Sequence, residues 1–216
     1  MDIRREDVSP QEIHRIVLTA VAPRPIGWIS TISNAGKVNL APFSYFNAVC
    51  TNPPLLGFSP TVRQGEDRQV LGSGVKDTLR NVHETREFVA NVVTFDLVEE
   101  MNLTSGEYDP SVNEFELAKL TMTPSKLVRP PRVGESPVNF ECKLYDILRF
   151  GTDETGGSFV IGEIVSVHVH DEVLRDGKIN AGSLDLVARM GGRQYCRATD
   201  RFELTRPQRK PKSEWE

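Results

Sequence analysis

Between Ile26 and Ser59 the chain is cut by turn residues into short runs of β-forming side chains, and that rhythm limits the folds open to it. Ile26 to Ile32, Ser44 to Val49 and Leu55 to Ser59 are too short for stable helices and rich in branched and aromatic residues. Asn34-Ala35-Gly36-Lys37 supplies a first hairpin turn. A further strand is expected at Glu87 to Val93, and two long ones around Pro137 to Arg149 and Ser158 to His170. Asp176-Gly177 marks another hairpin turn. Many strands and few helices predict a β-barrel or α+β fold in one domain.

The helices carry their own start signals. Ser9 is placed as an N-cap, Pro10 suits the first helical position and Glu12 completes a capping box. Val8 and Ile13 take the staple positions. Ile13, Ile16, Val17 and Ala20 then repeat at helical spacing and give one apolar face, until Ala22-Pro23-Arg24-Pro25 stops the helix. Lys76 to Arg86 reads as a short helix with Leu79 and Val82 inward, and Phe95 to Ser105 as another. Gly106 to Pro131 reads as loop with a helical turn near Phe115 to Leu117, while Leu184 to Met190 fits helix or strand equally. A single domain over residues 1–206 and a mobile tail over 207–216 are expected.

Composition narrows the function. The 216 residues carry 26 basic and 30 acidic side chains, a net charge of −4, so the basic face that nucleic-acid binding needs is not expected. The opening MDIRREDVSPQEI is charged where a signal peptide is apolar, and no apolar run approaches the roughly 18 residues of a membrane span. A soluble, cytoplasmic protein is therefore expected. Cys50, Cys142 and Cys196 form no CxxC pair, which argues against a disulfide framework or a thiolate zinc site.

Two stretches are candidates for chemistry. From Pro23 to Pro60, Asn39, Ser44, Asn47 and Ser59 are mixed with Pro42, Phe43, Tyr45 and Phe46 instead of alternating with them. That mixture suits a mainly apolar cleft holding a planar, polar ligand, and equally suits turn residues beside core aromatics. In Gly74-Val75-Lys76-Asp77-Thr78, Asp77 or Thr78 is a candidate cap, and a helix start beside Lys76 is a candidate anion site. The alternative there is a capped helix with a solvated lysine. His168 and His170 share one strand face, but no third metal ligand is evident, and no metal site is expected. Cys50 reads as a small packed residue. Arg189 to Tyr195 concentrates two arginines, two glycines and a tyrosine, which fits a phosphate contact, a subunit contact or a tight turn. The chain contains no GxGxxG, GxxxxGK[ST] or GxSxG.

Taken in order, PRPIGWIST, NLAPFSYFNAV, NPPLLGFS, KDTLRN, FVANVV, EFELAKLT, PVNFEC, IGEIV and VARMGGRQY resemble the flavin reductase-like proteins with an FMN-binding split β-barrel. The resemblance runs from about Ile13 to Pro207. It implies a mainly β, six-stranded antiparallel Greek-key split barrel with peripheral helices, usually a homodimer. It also implies FMN as cofactor, with NADH or NADPH passing hydride to it. Asn39, Ala41, Pro42, Ser44 and Asn47 would line the flavin, with Ser30 and Thr31 close by and Ser59 near the ribityl-phosphate end. Lys76, Asp77 and Thr78 would take the phosphate, and Arg189 and Tyr195 the far side. A monooxygenase or a protein electron acceptor is the implied partner. An FMN-bound electron carrier without nicotinamide turnover, or a non-catalytic flavin-binding protein, is the alternative. Two departures stand out: a long connection from Pro60 to Gly74, and no histidine at Gly156-Gly157-Ser158, where some reductases of the group carry one.

Overall fold

A computed structural model describes residues 1–61, 75–151 and 156–207. Residues 62–74, nearly all of the long connection after Pro60, lie outside it, as does the tail beyond Pro207. In chain order the elements are α1 (Pro10–Ala20), β1 (Arg24–Pro25), β2 (Gly27–Ile32), β3 (Val38–Phe43), β4 (Phe46–Cys50) and β5 (Leu55–Phe58). After the undescribed connection come α2 (Asp77–Thr85), β6 (Glu87–Val92), α3 (Val98–Leu103), α4 (Glu114–Leu117), β7 (Met122–Thr123) and β8 (Arg132–Val133). The long hairpin of β9 (Val138–Phe150) and β10 (Gly157–Val169) follows. The chain then passes through β11 (Leu174–Arg175), β12 (Lys178–Ile179), α5 (Ala181–Leu184), β13 (Val187–Arg189) and β14 (Tyr195–Arg197).

The main sheet is antiparallel throughout, in the order β3-β2-β6-β9-β10-β5-β4. Its two edge strands, β3 and β4, are separated in sequence only by Ser44 and Tyr45. A flat sheet cannot satisfy that join, so the sheet curls until its edges meet at one corner, giving a split barrel. The strand count is seven rather than six, because the Ser44–Tyr45 bend divides NLAPFSYFNAV into two strands, one on each edge. Glycine permits the closure. A Cβ on Gly27 of β2 would lie 2.5 Å from the ring of Phe46, which arrives from the opposite edge. Inside the barrel Phe58 packs tilted against Phe43 and edge-on against Phe88, with centroids 5.1 and 5.2 Å apart. A Cβ on Gly162 would come within 2.3 Å of Phe88, so β10 needs glycine where it passes that ring.

Strand β2 is buried on both faces, which is why GWISTI lacks the polar alternation of a half-exposed strand. Ile29 joins the barrel core. Trp28 faces outward into a second core with Leu40, Met101, Phe115 and Val133, under α3 and α4. Its indole N–H donates to Thr104 Oγ1 at 2.8 Å, satisfying the one polar atom of a fully buried ring. These helices thereby fix one wall of a groove along β3.

The expected capping box of α1 is present: Ser9 Oγ accepts from the Glu12 amide, and the Glu12 carboxylate accepts from the Ser9 amide. Among the described residues, however, nothing buries the apolar face of α1. Ile16 and Val17 are 44% and 37% exposed, and no residue of the helix is buried. A small sheet, β1-β13-β14, packs beside the barrel and sets Arg24 directly opposite Arg189. Both hairpin turns form as expected, with Gly36 and the Asp176-Gly177 pair in the left-handed region. Among the described residues no helix is long and apolar enough to cross a membrane.

Candidate functional site

One groove runs along β3. Its first cavity, about 410 Å³ with its open mouth, lies between Asn39, Ala41 and Pro42 of β3, the start of α2 and the Ser105–Tyr108 turn after α3. A second, about 580 Å³, continues past Ser44 to Arg24, Arg189 and Tyr195 and shares Pro42 and Ser105 with the first. Both open widely to solvent, with enclosed volumes of only about 40 and 210 Å³, so together they form a shallow cleft along the strand.

At the α2 end the expected cap is corrected. The N-cap is Lys76, with extended backbone (φ −65°, ψ 146°) and no side-chain cap bond. Asp77 is already helical and its carboxylate pairs with Arg80, one turn on, while Thr78 Oγ1 accepts from Asn39 Nδ2 at 2.9 Å. The Asn39 bond takes the Thr78 side chain away from the helix start, and the Asp77 carboxylate is taken by Arg80 of its own helix. A helix start with Lys76 beside it is a place where an anion can settle. Lys76 Nζ reaches Glu107 Oε1 at 2.7 Å across the cavity mouth. Glu114, buried in the cavity wall, accepts from the Leu40 amide at 3.1 Å. Burial pushes its carboxyl up to about 7, and the neighbouring Asp77 adds to the shift against two backbone hydrogen bonds.

At the other end Arg24 is 6% exposed. Its guanidinium donates to the Leu18 and Val21 carbonyls at 2.7 and 2.8 Å and to the Met190 carbonyl at 3.1 Å. It thus joins the end of α1 to the strand that carries Arg189. Arg189 donates to the Tyr195 hydroxyl and the Gly192 carbonyl, with its guanidinium 4.5 Å from the Tyr195 ring centroid.

The residues expected at a site therefore separate into two sets. Asn39, Ala41, Pro42, Lys76, Asp77 and Thr78 line the first cavity, and Ser44, Arg189 and Tyr195 the second. Ser30 and Thr31 are fully buried, Ser30 donating to the Pro131 carbonyl at 2.6 Å and Thr31 accepting from Asn81 at 3.1 Å. Asn47 is exposed on β4, where its side chain accepts from the Ala48 amide, and Ser59 is half-buried. None of these four lines either cavity. Arg24, Glu107 and Glu114 line the groove without having stood out in the sequence. Arg24 read as part of a helix stop, and the two glutamates lay in a stretch read mainly as loop. A buried charge leaves no local pattern.

Of the two strand histidines, His168 hydrogen-bonds the fully buried Glu141, and His170 Nδ1 lies 3.5 Å from Glu172. Burial alone would raise the Glu141 carboxyl, but the amides of Lys126 and Leu127 together with His168 hold it below its ordinary value. Among the described residues no group of three or more His, Cys, Asp or Glu side chains is placed to hold a metal.

Comparison with known proteins gives the relationship. An uncharacterized protein of Aquifex aeolicus is 38% identical over 205 residues, covering 94% of this chain and 99% of its own length. The solved structure of nitrilotriacetate monooxygenase component B from Bacillus cereus superposes with a TM-score of 0.85 at 31% identity, over 94% of this chain and 98% of that one. The 2-nitrobenzoate 2-nitroreductase of Pseudomonas fluorescens superposes with a TM-score of 0.82 at 28% identity, over 99% and 100%. The family profile of the flavin reductase like domain matches residues 20–193, and the chain belongs to that family.

Proposed function

We propose that this protein is an FMN-dependent oxidoreductase that binds the flavin along the β3 groove and takes hydride from NADH or NADPH. The observation that carries the reading is the meeting, in one groove, of the β3 segment with the start of α2 and Lys76. The residues fit the cofactor. Ala41 and Pro42 offer a flat, largely apolar wall, Asn39 and Ser44 offer polar atoms, and the α2 amides with Thr78 and Lys76 offer donors to a phosphate. The bound flavin supplies the redox chemistry, accepting and releasing electrons. The protein's part is to bind, orient and shield it.

The helix amides and Lys76 hold the phosphate at one end, and β3 presents its backbone and short side chains to the ring system. Glu114, with a carboxyl near neutrality beside Asp77, sets how much negative charge faces that phosphate. A homodimer is proposed on the uncovered Ile16 and Val17 face of α1. The name of the Bacillus cereus neighbour, a monooxygenase component, supports a partner enzyme that consumes reduced flavin.

The test is an absorbance titration of the protein with FMN, followed by NADH or NADPH without oxygen. Bound flavin that bleaches rapidly supports the reductase and identifies its donor. Bound flavin that stays yellow with both donors overturns nicotinamide turnover in favour of a carrier. No flavin binding overturns the site.

A further inference from the structure

We propose that the Arg24–Arg189 end of the groove is a separate subsite for a carboxylate or phosphate oxyanion borne on a flat apolar body. The register of β1 and β13 sets the two arginines directly opposite one another. Like charges in that relation destabilise an antiparallel pair, and burying a cation without a counter-charge adds to the cost. Among the described residues no carboxylate lies within ion-pair distance of either guanidinium.

Among those residues their hydrogen-bond partners are all neutral: the Ser44 hydroxyl and the Leu18, Val21 and Met190 carbonyls for Arg24, and the Gly192 carbonyl and Tyr195 hydroxyl for Arg189. Among the described residues that leaves both positive charges without a counter-charge, and Arg189 with N–H groups to offer. Among the described residues no acidic side chain lines the cavity they face, whereas Asp77, Glu107 and Glu114 all line the neighbouring one. Its remaining wall includes Leu18, Ile26, Met101 and the Tyr195 ring, which suits a flat apolar body attached to the oxyanion.

A ligand of that kind gains both charge complementarity and apolar burial. Two sources share this chemistry: the phosphates of a pyridine dinucleotide and the carboxylate of an aromatic acid. The inference rests on the flavin reading only for what lies alongside; the charge imbalance exists without it.

The experiment is calorimetric titration of the FMN-saturated protein with benzoate, with its neutral isostere benzamide, and with inorganic pyrophosphate. The expected result is that at least one anion binds about tenfold or more tighter than benzamide and that Arg189→Gln removes the preference. Benzoate ahead of pyrophosphate assigns the subsite to aromatic acids, and the reverse order to dinucleotide phosphates. FMN affinity is measured in the same variant. Joint loss of flavin and anion binding overturns a separate subsite, as does an unchanged anion affinity or the absence of any preference over benzamide. Anion binding by a wild-type protein that takes up no FMN supports the subsite and overturns the flavin reading. Arg189→Lys, which retains the charge, is expected to restore part of the preference and guards against a folding defect in the glutamine variant.

Discussion

The two ends of the groove use opposite means. At the α2 end a lysine pairs with Glu107, and Asp77 and Glu114 line the same cavity, so what is offered beside them is directional: a helix start and a hydroxyl. At the β1–β13 end two arginines face a cavity that no described carboxylate lines, so charge dominates. Net charge and hydrogen-bond geometry are thus separated within one groove. A phosphate held by preorganised amides does not require a positive surroundings, whereas a loosely placed anion does.

Arg24→Ala is expected to have the largest effect. It leaves three carbonyls that accept from the guanidinium without their donor, at a cost of about 3 kcal/mol in a denaturant titration. The cross-strand partner Arg189→Ala is expected to cost less than about 1 kcal/mol, because it relieves a like-charge pair and is half-buried. Equal losses would break the view that Arg24 is structural and Arg189 faces ligand.

Lys76→Ala comes next and reverses that order of effects. FMN affinity is expected to fall about tenfold or more while stability changes by less than about 1 kcal/mol, since the Lys76–Glu107 pair is partly solvent-exposed. Glu107→Gln is expected to raise FMN affinity by about two- to fivefold, by freeing the ammonium from a competing carboxylate. An unchanged affinity in both variants would remove Lys76 from the site.

A pH dependence is expected as well. Glu114 has an ordinary value of 4.5 and is raised to about 7 in the folded chain, so the folded state holds the proton more tightly. Its stabilising contribution is full below about 4.5 and is lost as pH rises through about 7. FMN affinity should weaken over the same rise as a carboxylate forms near the phosphate. Thermal melts and flavin titrations between pH 5 and 8 check both trends, and Glu114→Gln should flatten them.

The strands were largely legible because their ends are written locally. Asn34 to Lys37 and Asp176-Gly177 turn where the sequence says they should, and β9 and β10 lie within a residue of their expected bounds. The Ser9 capping box is likewise local, and it forms. What escaped is set by distant partners. Thr78 is drawn from the cap by Asn39, 39 residues away, and Arg24 is defined by Met190, 166 residues away. The second cavity depends on β13 reaching β1, and neither segment predicts the other. Ser30 and Thr31, placed near the flavin by family likeness, face internal partners in Pro131 and Asn81 instead.

Comparing FMN with riboflavin, which lacks the phosphate, tests the central claim that the phosphate lies at the Lys76 end. Both affinities are measured in the wild type, in Lys76→Ala and in Arg189→Gln. The wild type is expected to prefer FMN by about tenfold or more, Lys76→Ala to lose the preference and Arg189→Gln to keep it. A preference that survives Lys76→Ala and disappears in Arg189→Gln would place the phosphate among the arginines instead.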